Sequence, residues 1–145
     1  MTESGVKMNY WDRTLTSPEL PPATAFLGFE LIGFDAEQGW CEAHFRLPPQ
    51  AANPSGNAQG GFITAMLDEV MSVAGSIVQP PPAMSPTLQM TTSFIRPVSV
   101  GVQLKARGEV VRQGRAAIFT EGWLWTADGK LLAQASASCI PRSMA

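Results

Sequence analysis

The chain has 145 residues, 45% of them hydrophobic and 15% charged, a size and mix that suit one domain with one core. Ten Lys and Arg against twelve Asp and Glu leave a net charge of −2 and no basic patch, so nucleic acid is not an expected partner. No apolar run reaches the length of a membrane span, and the first fifteen residues hold no hydrophobic signal region. The expected compartment is therefore the cytoplasm, with no membrane partner.

In chain order, residues 8–20 predict a short helix stopped by Pro21-Pro22. Phe26 to Phe34 predicts a first strand, followed by a turn over Asp35 to Gly39. Gly39 to Leu47 predicts a second strand. It places Cys41, Ala43, Phe45 and Leu47 on one side and Glu42, His44 and Arg46 on the other. The lone histidine thus falls on a solvent face. Cys41 and Cys139 both stand in apolar phase, with no second ligand cluster, and are expected to be buried free thiols.

Pro48 to Gly60 is a loop rich in Pro, Asn, Ser and Gly. A long helix is predicted from Gly60 to about Val78, then a second irregular loop over Gln79 to Pro86. Four strands follow, at Thr87–Arg96, Val100–Val111, Ala116–Thr126 and Leu131–Ile140. Their short connections imply antiparallel neighbours. In the second of them Val100, Val102, Leu104, Ala106 and Val110 oppose Gln103, Lys105, Arg107 and Glu109, one face covered and one wet. The expected fold class is α+β in a single domain: one long helix wrapped by an antiparallel sheet of about six strands.

The helix itself carries the strongest functional signal. It is apolar round most of its circumference, yet Asp68 sits in its middle. A buried carboxylate must be paired, hydrogen-bonded or functional. At about 100° per residue, Gly61, Thr64, Asp68, Ser72 and Gly75 fall in one stripe roughly 80° wide. That stripe is either a close-packing seam or a reactive line beside a crevice, and the helix alone does not choose between them. In the third of the later strands, Phe119, Trp123 and Trp125 share a face with Glu121, while Ile118, Thr120, Gly122 and Leu124 share the other. One helix covers one face, so part of the other is expected to be buried by a second subunit.

Gln59-Gly60-Gly61 followed by Leu67-Asp68, the segment Thr87 to Val98, and the turn running from Asp128-Gly129 to Ala135 together resemble the hotdog-fold acyl-CoA thioesterases. The nearest resemblance is to the phenylacetate-pathway-type and 4-hydroxybenzoyl-CoA-type enzymes, over residues 26 to 140. The resemblance implies a hotdog fold and a homodimer or dimer of dimers with active sites at subunit interfaces. It also implies an acyl-CoA substrate and no metal or bound cofactor, coenzyme A being part of the substrate. Asp68 takes the place of the acid that activates water or attacks the thioester, and Gly60 that of the amide that holds the oxyanion.

By the same resemblance Asn53 and Gln59 lie near the substrate carbonyl, Gly61 is a substrate-binding position, Ser72 helps hold the water or the carboxylate, and Thr87 orients the water. Asn53 also begins an Asn-Pro turn pair, and Thr87 also reads as an ordinary strand residue. Many members have His where this chain has Gln59. Gln donates a hydrogen bond but does not titrate, which leaves open a non-catalytic module that binds acyl-CoA. Arg96, Arg112 and Arg115 stand at strand ends or hairpin tips, where phosphate contacts arise but where ordinary surface arginines are also expected. Phe62, Met66, Met84, Met90 and Phe94 are candidates either for an acyl pocket or for the core.

Overall fold

In the computed structural model, which describes residues 3–145, the chain opens with helix α1 at Glu3–Leu15. This is earlier than the expected 8–20, and Pro18 is the reason. A proline disfavours helical backbone at the residue before it, and Thr16 closes the last turn by donating its N–H and its hydroxyl to the Asp12 carbonyl. Pro21-Pro22 ends nothing. Pro22 instead opens the short helix α2 (Pro22–Phe26), at the first helical position, where a missing N–H goes unnoticed.

Strand β1 (Glu30–Asp35) starts later than Phe26. The intervening residues end α2 and turn at Gly28, whose φ of +68° and close approach to the Arg46 backbone exclude a side chain. Strand β2 (Trp40–Phe45) follows, then α3 (Gly60–Ile77), β3 (Ala83–Met84), β4 (Thr87–Phe94), β5 (Leu104–Gln113), β6 (Ile118–Thr126), β7 (Leu131–Cys139) and β8 (Arg142–Ser143). Strand β5 begins at Leu104 rather than Val100. Gly101 turns the chain at φ +73° and donates its N–H to Leu47, which leaves Val102 exposed instead of covered.

Six strands form one antiparallel sheet in the order β1-β2-β5-β6-β7-β4, and β3 pairs with β8 in a small separate ladder. Helix α3 lies on the inner face of the large sheet, the α+β hotdog arrangement expected. Ile63, Met66, Leu67, Val70 and Met71 are buried along it, against Ala43, Phe45, Leu104, Ala106 and Leu124, while Ile77 near its end packs in a second cluster with Trp11, Ala36 and Ala83. The approach is close because two strand residues are glycine. A Cβ on Gly108 would stand 2.2 Å from the Val70 carbonyl oxygen, and one on Gly122 would stand 2.9 Å from Met71.

The helix is not buried all round, as its composition led us to expect. Gly61 is exposed, and Phe62, Ala65, Asp68, Glu69, Ser72 and Val73 are only partly covered. On β6, Ile118, Thr120 and Leu124 face the helix and are buried, whereas Phe119 and Glu121 are exposed on the outer face. There Trp123 and Trp125 stack at 6.5 Å, and Arg107 lies 4.5 Å over Trp40 while pairing with Glu42 and Glu109. His44 belongs to this outer face as expected, 2.5 Å from the Gln103 amide.

Candidate active site

Strand β4 is an edge of the sheet, and its inner side runs along α3. Contacts pair the two elements in order. Phe94 covers Gly60, with its ring 3.4 Å from where a Cβ would be. Thr92 meets Thr64, hydroxyl to hydroxyl, at 3.3 Å. Thr87 donates its hydroxyl to Asp68 Oδ1 at 2.6 Å. Alternation along β4 puts Thr92 and Phe94 on the helix side, the register irregularity between Thr87 and Gln89 brings Thr87 to that side as well, and the i, i+4 spacing of Gly60, Thr64 and Asp68 presents them one turn apart.

Thr87 is therefore more than a strand residue. Ser72 Oγ lies 3.5 Å from the same Asp68 oxygen, a weak contact. Ser72 is held mainly through its carbonyl, which accepts hydrogen bonds from Ser76 Oγ at 2.7 Å and Ser85 Oγ at 2.6 Å. Behind it Gln79 donates to the carbonyls of Gly75 and Met84 and accepts the Arg142 N–H, fixing the C-terminal end of the helix. The carboxylate thus sits on a braced segment.

Gln59 caps the other end of the helix with its backbone alone. Its N–H bonds to the Ala51 carbonyl, its own carbonyl accepts from Phe62 and Ile63, and its exposed side chain makes no capping bond. The amides of Gly60 and Gly61 precede those first intrahelical bonds and so lack helical acceptors. A Cβ on Gly61 would meet nothing within 4 Å, so the space beside Gly61 is open, while the Phe94 ring flanks Gly60. Asn53 is engaged in its own loop, its Oδ1 accepting from Ser55 N, Ser55 Oγ and Asn57 N. It nonetheless lines a cavity of about 410 Å³ together with Ser55, Asn57, Gly60, Phe94 and Arg96.

The candidate residues therefore fall into two groups. Asn53, Gly60 and Gly61 lie at the helix N-terminus, and Asp68, Ser72 and Thr87 lie further along. Eight residues of helix at 1.5 Å each separate Gly60 from Asp68 by about 12 Å. Gln59 belongs with the first group in the chain, but its side chain does not cap the helix there.

The sequence reading overlooked one pair. Glu69 Oε1 accepts the hydroxyl of buried Thr24 at 2.7 Å, tying α2 to α3. Burial raises the Glu69 carboxyl above its ordinary value; the Thr24 bond opposes this and the Asp68 charge adds to it. The signal was present as a second carboxylate in an apolar helix, but its partner lies 45 residues away. The two thiols are free and buried, and burial, helped by Glu69 and Glu42, pushes Cys41 up to about 12.

Of the acyl-pocket candidates, Met66 is wholly in the core and Met90 packs beside it, while Met84 is exposed on β3. Phe94 lines the Asn53 cavity together with Ile63, Ile95 and Val98, so that cavity is mixed in character, and Phe62 lines a separate, wholly apolar one. Arg96 reaches the mixed cavity, whereas Arg112 and Arg115 are exposed around the β5–β6 turn. Among the described residues no group of three His, Cys, Asp or Glu could hold a metal ion, and no helix is long and apolar enough to cross a membrane.

A helix that starts on a glycine pair with open space beside Gly61, a carboxylate gripped from an edge strand, and the packing of that one long helix on a six-stranded antiparallel sheet define a hotdog protein. The family model of the Thioesterase superfamily matches residues 55–133, and the chain belongs to that superfamily. It is similar to a phenylacetic acid degradation-related protein of Ralstonia eutropha JMP134, at 34% identity and a TM-score of 0.81 over 91% of this chain and 99% of the other. A thioesterase of Haemophilus influenzae shares 24% identity and a TM-score of 0.74 over 89% and 86% of the two chains. A Streptococcus mutans protein bound to acetyl CoA shares 19% identity and a TM-score of 0.73 over 86% and 94%. The latter two show likeness of fold. No curated protein matches the chain in sequence.

Proposed function

We propose that this protein is an acyl-CoA thioesterase that hydrolyses the thioester to a free acid and coenzyme A. Supporting this above all is the Asp68 carboxylate held at 2.6 Å by Thr87, on the same helix as the unbonded Gly60 and Gly61 amides. Asp68 serves as general base toward water or as nucleophile on the carbonyl carbon. The Gly60 amide, aided by the positive end of the helix, stabilises the oxyanion that forms. Thr87 fixes the carboxylate, and Ser72 supports it from the next turn. Asn53 shapes the cavity in which the coenzyme A arm lies, with Arg96 at its rim for phosphate. The steps need no metal or further cofactor.

One thioester carbonyl has to lie about 3 Å from both the acid and the amide donor, and these are about 12 Å apart on one helix. A working site therefore takes Gly60 from one chain and Asp68 from another, and the protein is a homodimer or a dimer of dimers. The open inner edge at β4 and the partly covered side of α3 are the surfaces for that pairing.

The test is release of free thiol from acetyl-, hexanoyl-, palmitoyl-, phenylacetyl- and 4-hydroxybenzoyl-CoA by wild type and Asp68→Asn. Turnover by wild type and its loss in the variant is the expected result. Full activity in the variant removes Asp68 from the chemistry. Binding with no turnover by wild type on any substrate replaces the enzyme with the acyl-CoA-binding module that Gln59 leaves open.

A further inference from the structure

Ala23, Phe26, Leu27, Phe62 and Ala65 line a solvent-open pocket of about 400 Å³ between α2 and the first turns of α3. Its wall is carbon, and no polar side chain lines it. Phe26 and Phe62 stand with ring centroids 5.3 Å apart, tilted by 36°, and Phe26 remains 39% exposed. An open pocket of this kind in a protein of this size leaves apolar area in water that a hydrocarbon would cover.

Its position gives it a meaning. On the helix, Gly60 and Ile63 face the Asn53–Arg96 cavity, whose wall mixes amides, a hydroxyl and a guanidinium with apolar side chains, whereas Phe62 and Ala65 face the wholly apolar one. At about 100° per residue these two directions lie roughly 160° apart, and Gly61 points between them. A substrate whose carbonyl rests on the Gly60 and Gly61 amides would therefore have a space of mixed lining, with hydrogen-bonding groups, on one flank and a space without any on the other. A thioester has these two ends: a coenzyme A arm rich in polar groups and an acyl group.

We infer that the α2–α3 pocket is the acyl subsite, and that it selects hydrocarbon acyl groups without a polar tail. The inference rests on the acyl-CoA reading of the Gly60 site. Short α2 forms one wall, so the pocket depends on how α2 is held. Two side-chain contacts tie it to α3: the Phe26–Phe62 pair and the Thr24 hydroxyl on Glu69, one helical turn beyond Ala65. A terminal hydroxyl on the acyl group would find no polar partner in this wall and would lose its hydration on entry.

The experiment compares wild type with Ala65→Phe, which fills the pocket, and Phe26→Ser, which removes its half-exposed aromatic wall and the ring contact with Phe62 while leaving the Thr24–Glu69 bond in place. Two readouts are taken. The first is kcat/KM for decanoyl-CoA relative to acetyl-CoA, and for benzoyl-CoA relative to 4-hydroxybenzoyl-CoA. The second is the dissociation constant of the non-hydrolysable decyl and ethyl thioethers of coenzyme A, with circular dichroism to show that each variant is folded.

Both variants should weaken the decyl-to-ethyl preference at least tenfold and leave the short ligand nearly unchanged, and wild type should prefer benzoyl over 4-hydroxybenzoyl. An unchanged decyl-to-ethyl ratio in folded Phe26→Ser overturns the assignment, as does a wild type that binds both thioethers equally. If wild type binds decyl thioether with this pocket dependence yet hydrolyses nothing, the thioesterase reading fails and the subsite stands. If it hydrolyses acyl-CoA and neither variant shifts the ratio, the subsite fails and the thioesterase stands.

Discussion

The hydroxyl of Thr87 donates to Asp68 Oδ1 at 2.6 Å, joining an edge strand to the middle of the central helix. The bond fixes one rotamer of the carboxylate and leaves its other oxygen free to act. A hydrogen bond to a charged group contributes about 1.5–3 kcal/mol, or roughly tenfold to a hundredfold in rate if it is needed only in the reacting geometry. Thr87→Val should reduce kcat by about that factor, and Thr87→Ser should restore most of it. A Thr87→Val enzyme with unchanged kcat would show that the bond is structural only.

A site shared between chains has a sharper consequence. Gly60→Pro removes the proposed oxyanion donor while suiting the fold, since Gly60 is the first helical residue and Gln59 already has the extended backbone, φ −59° and ψ 138°, that precedes proline. Gly60→Pro and Asp68→Asn should each be inactive alone. Unfolded together and refolded, they should recover about a quarter of wild-type activity, because random pairing makes half the dimers mixed and each mixed dimer holds one intact site. No recovery in mixed dimers confirmed by mass spectrometry would place both groups of one site on one chain.

Two glycines should respond in opposite ways. At Gly108 an added methyl would overlap the Val70 carbonyl at 2.2 Å, so α3 would have to lift from the sheet. Gly108→Ala should cost about 1–3 kcal/mol or more and lower Tm by at least about 4 °C. At Gly61 the space is empty, and Ala in a helix is favoured over Gly by about 0.5–1 kcal/mol. Gly61→Ala should therefore raise Tm slightly while lowering kcat/KM, because the methyl enters the space proposed for the thioester. Thermal unfolding and thiol release on the same samples check both.

Glu69 makes stability depend on pH. Burial holds its carboxyl above the unfolded value despite the bond from Thr24, so the folded state binds this proton more tightly. Its stabilising contribution is full below the unfolded carboxylate range, about 4.3, and is lost as pH rises through the higher folded value. Glu69→Gln keeps an acceptor for Thr24 and has no charge to desolvate. Its Tm should match wild type near about pH 4 and exceed it near about pH 8. A Tm difference that does not vary with pH would contradict this.

The thiols should be silent in the folded protein. Cys41 is fully buried with its pKa pushed up to about 12, and Cys139 is buried beside Ser85 and Gly75 and also raised, chiefly by burial. Neither should react with a thiol-disulfide reagent near pH 8 until denaturant is added, when both should. Stoichiometric labelling before unfolding would show that one of them is reached from solvent.

Much of this protein was legible in its residues, for a local reason. Period-two alternation marked β2 and β6, the apolar run marked α3, and the glycine pair marked its start, because each signal lies within one element. Boundaries failed where neighbouring prolines and glycines compete. Pro18, not Pro21-Pro22, ended the first helix, and Gly101 delayed β5, leaving Val102 in water. The sequence by itself determined which residues could carry chemistry, Asp68 behind Gly60-Gly61, since residue type and spacing along one helix are fixed by the chain. Only the tertiary structure decided their partners: Thr87 for Asp68, Thr24 for Glu69, Phe26 for Phe62. Those contacts bring together residues 19 to 45 positions apart, and no local periodicity encodes which distant side chain a folded sheet will deliver.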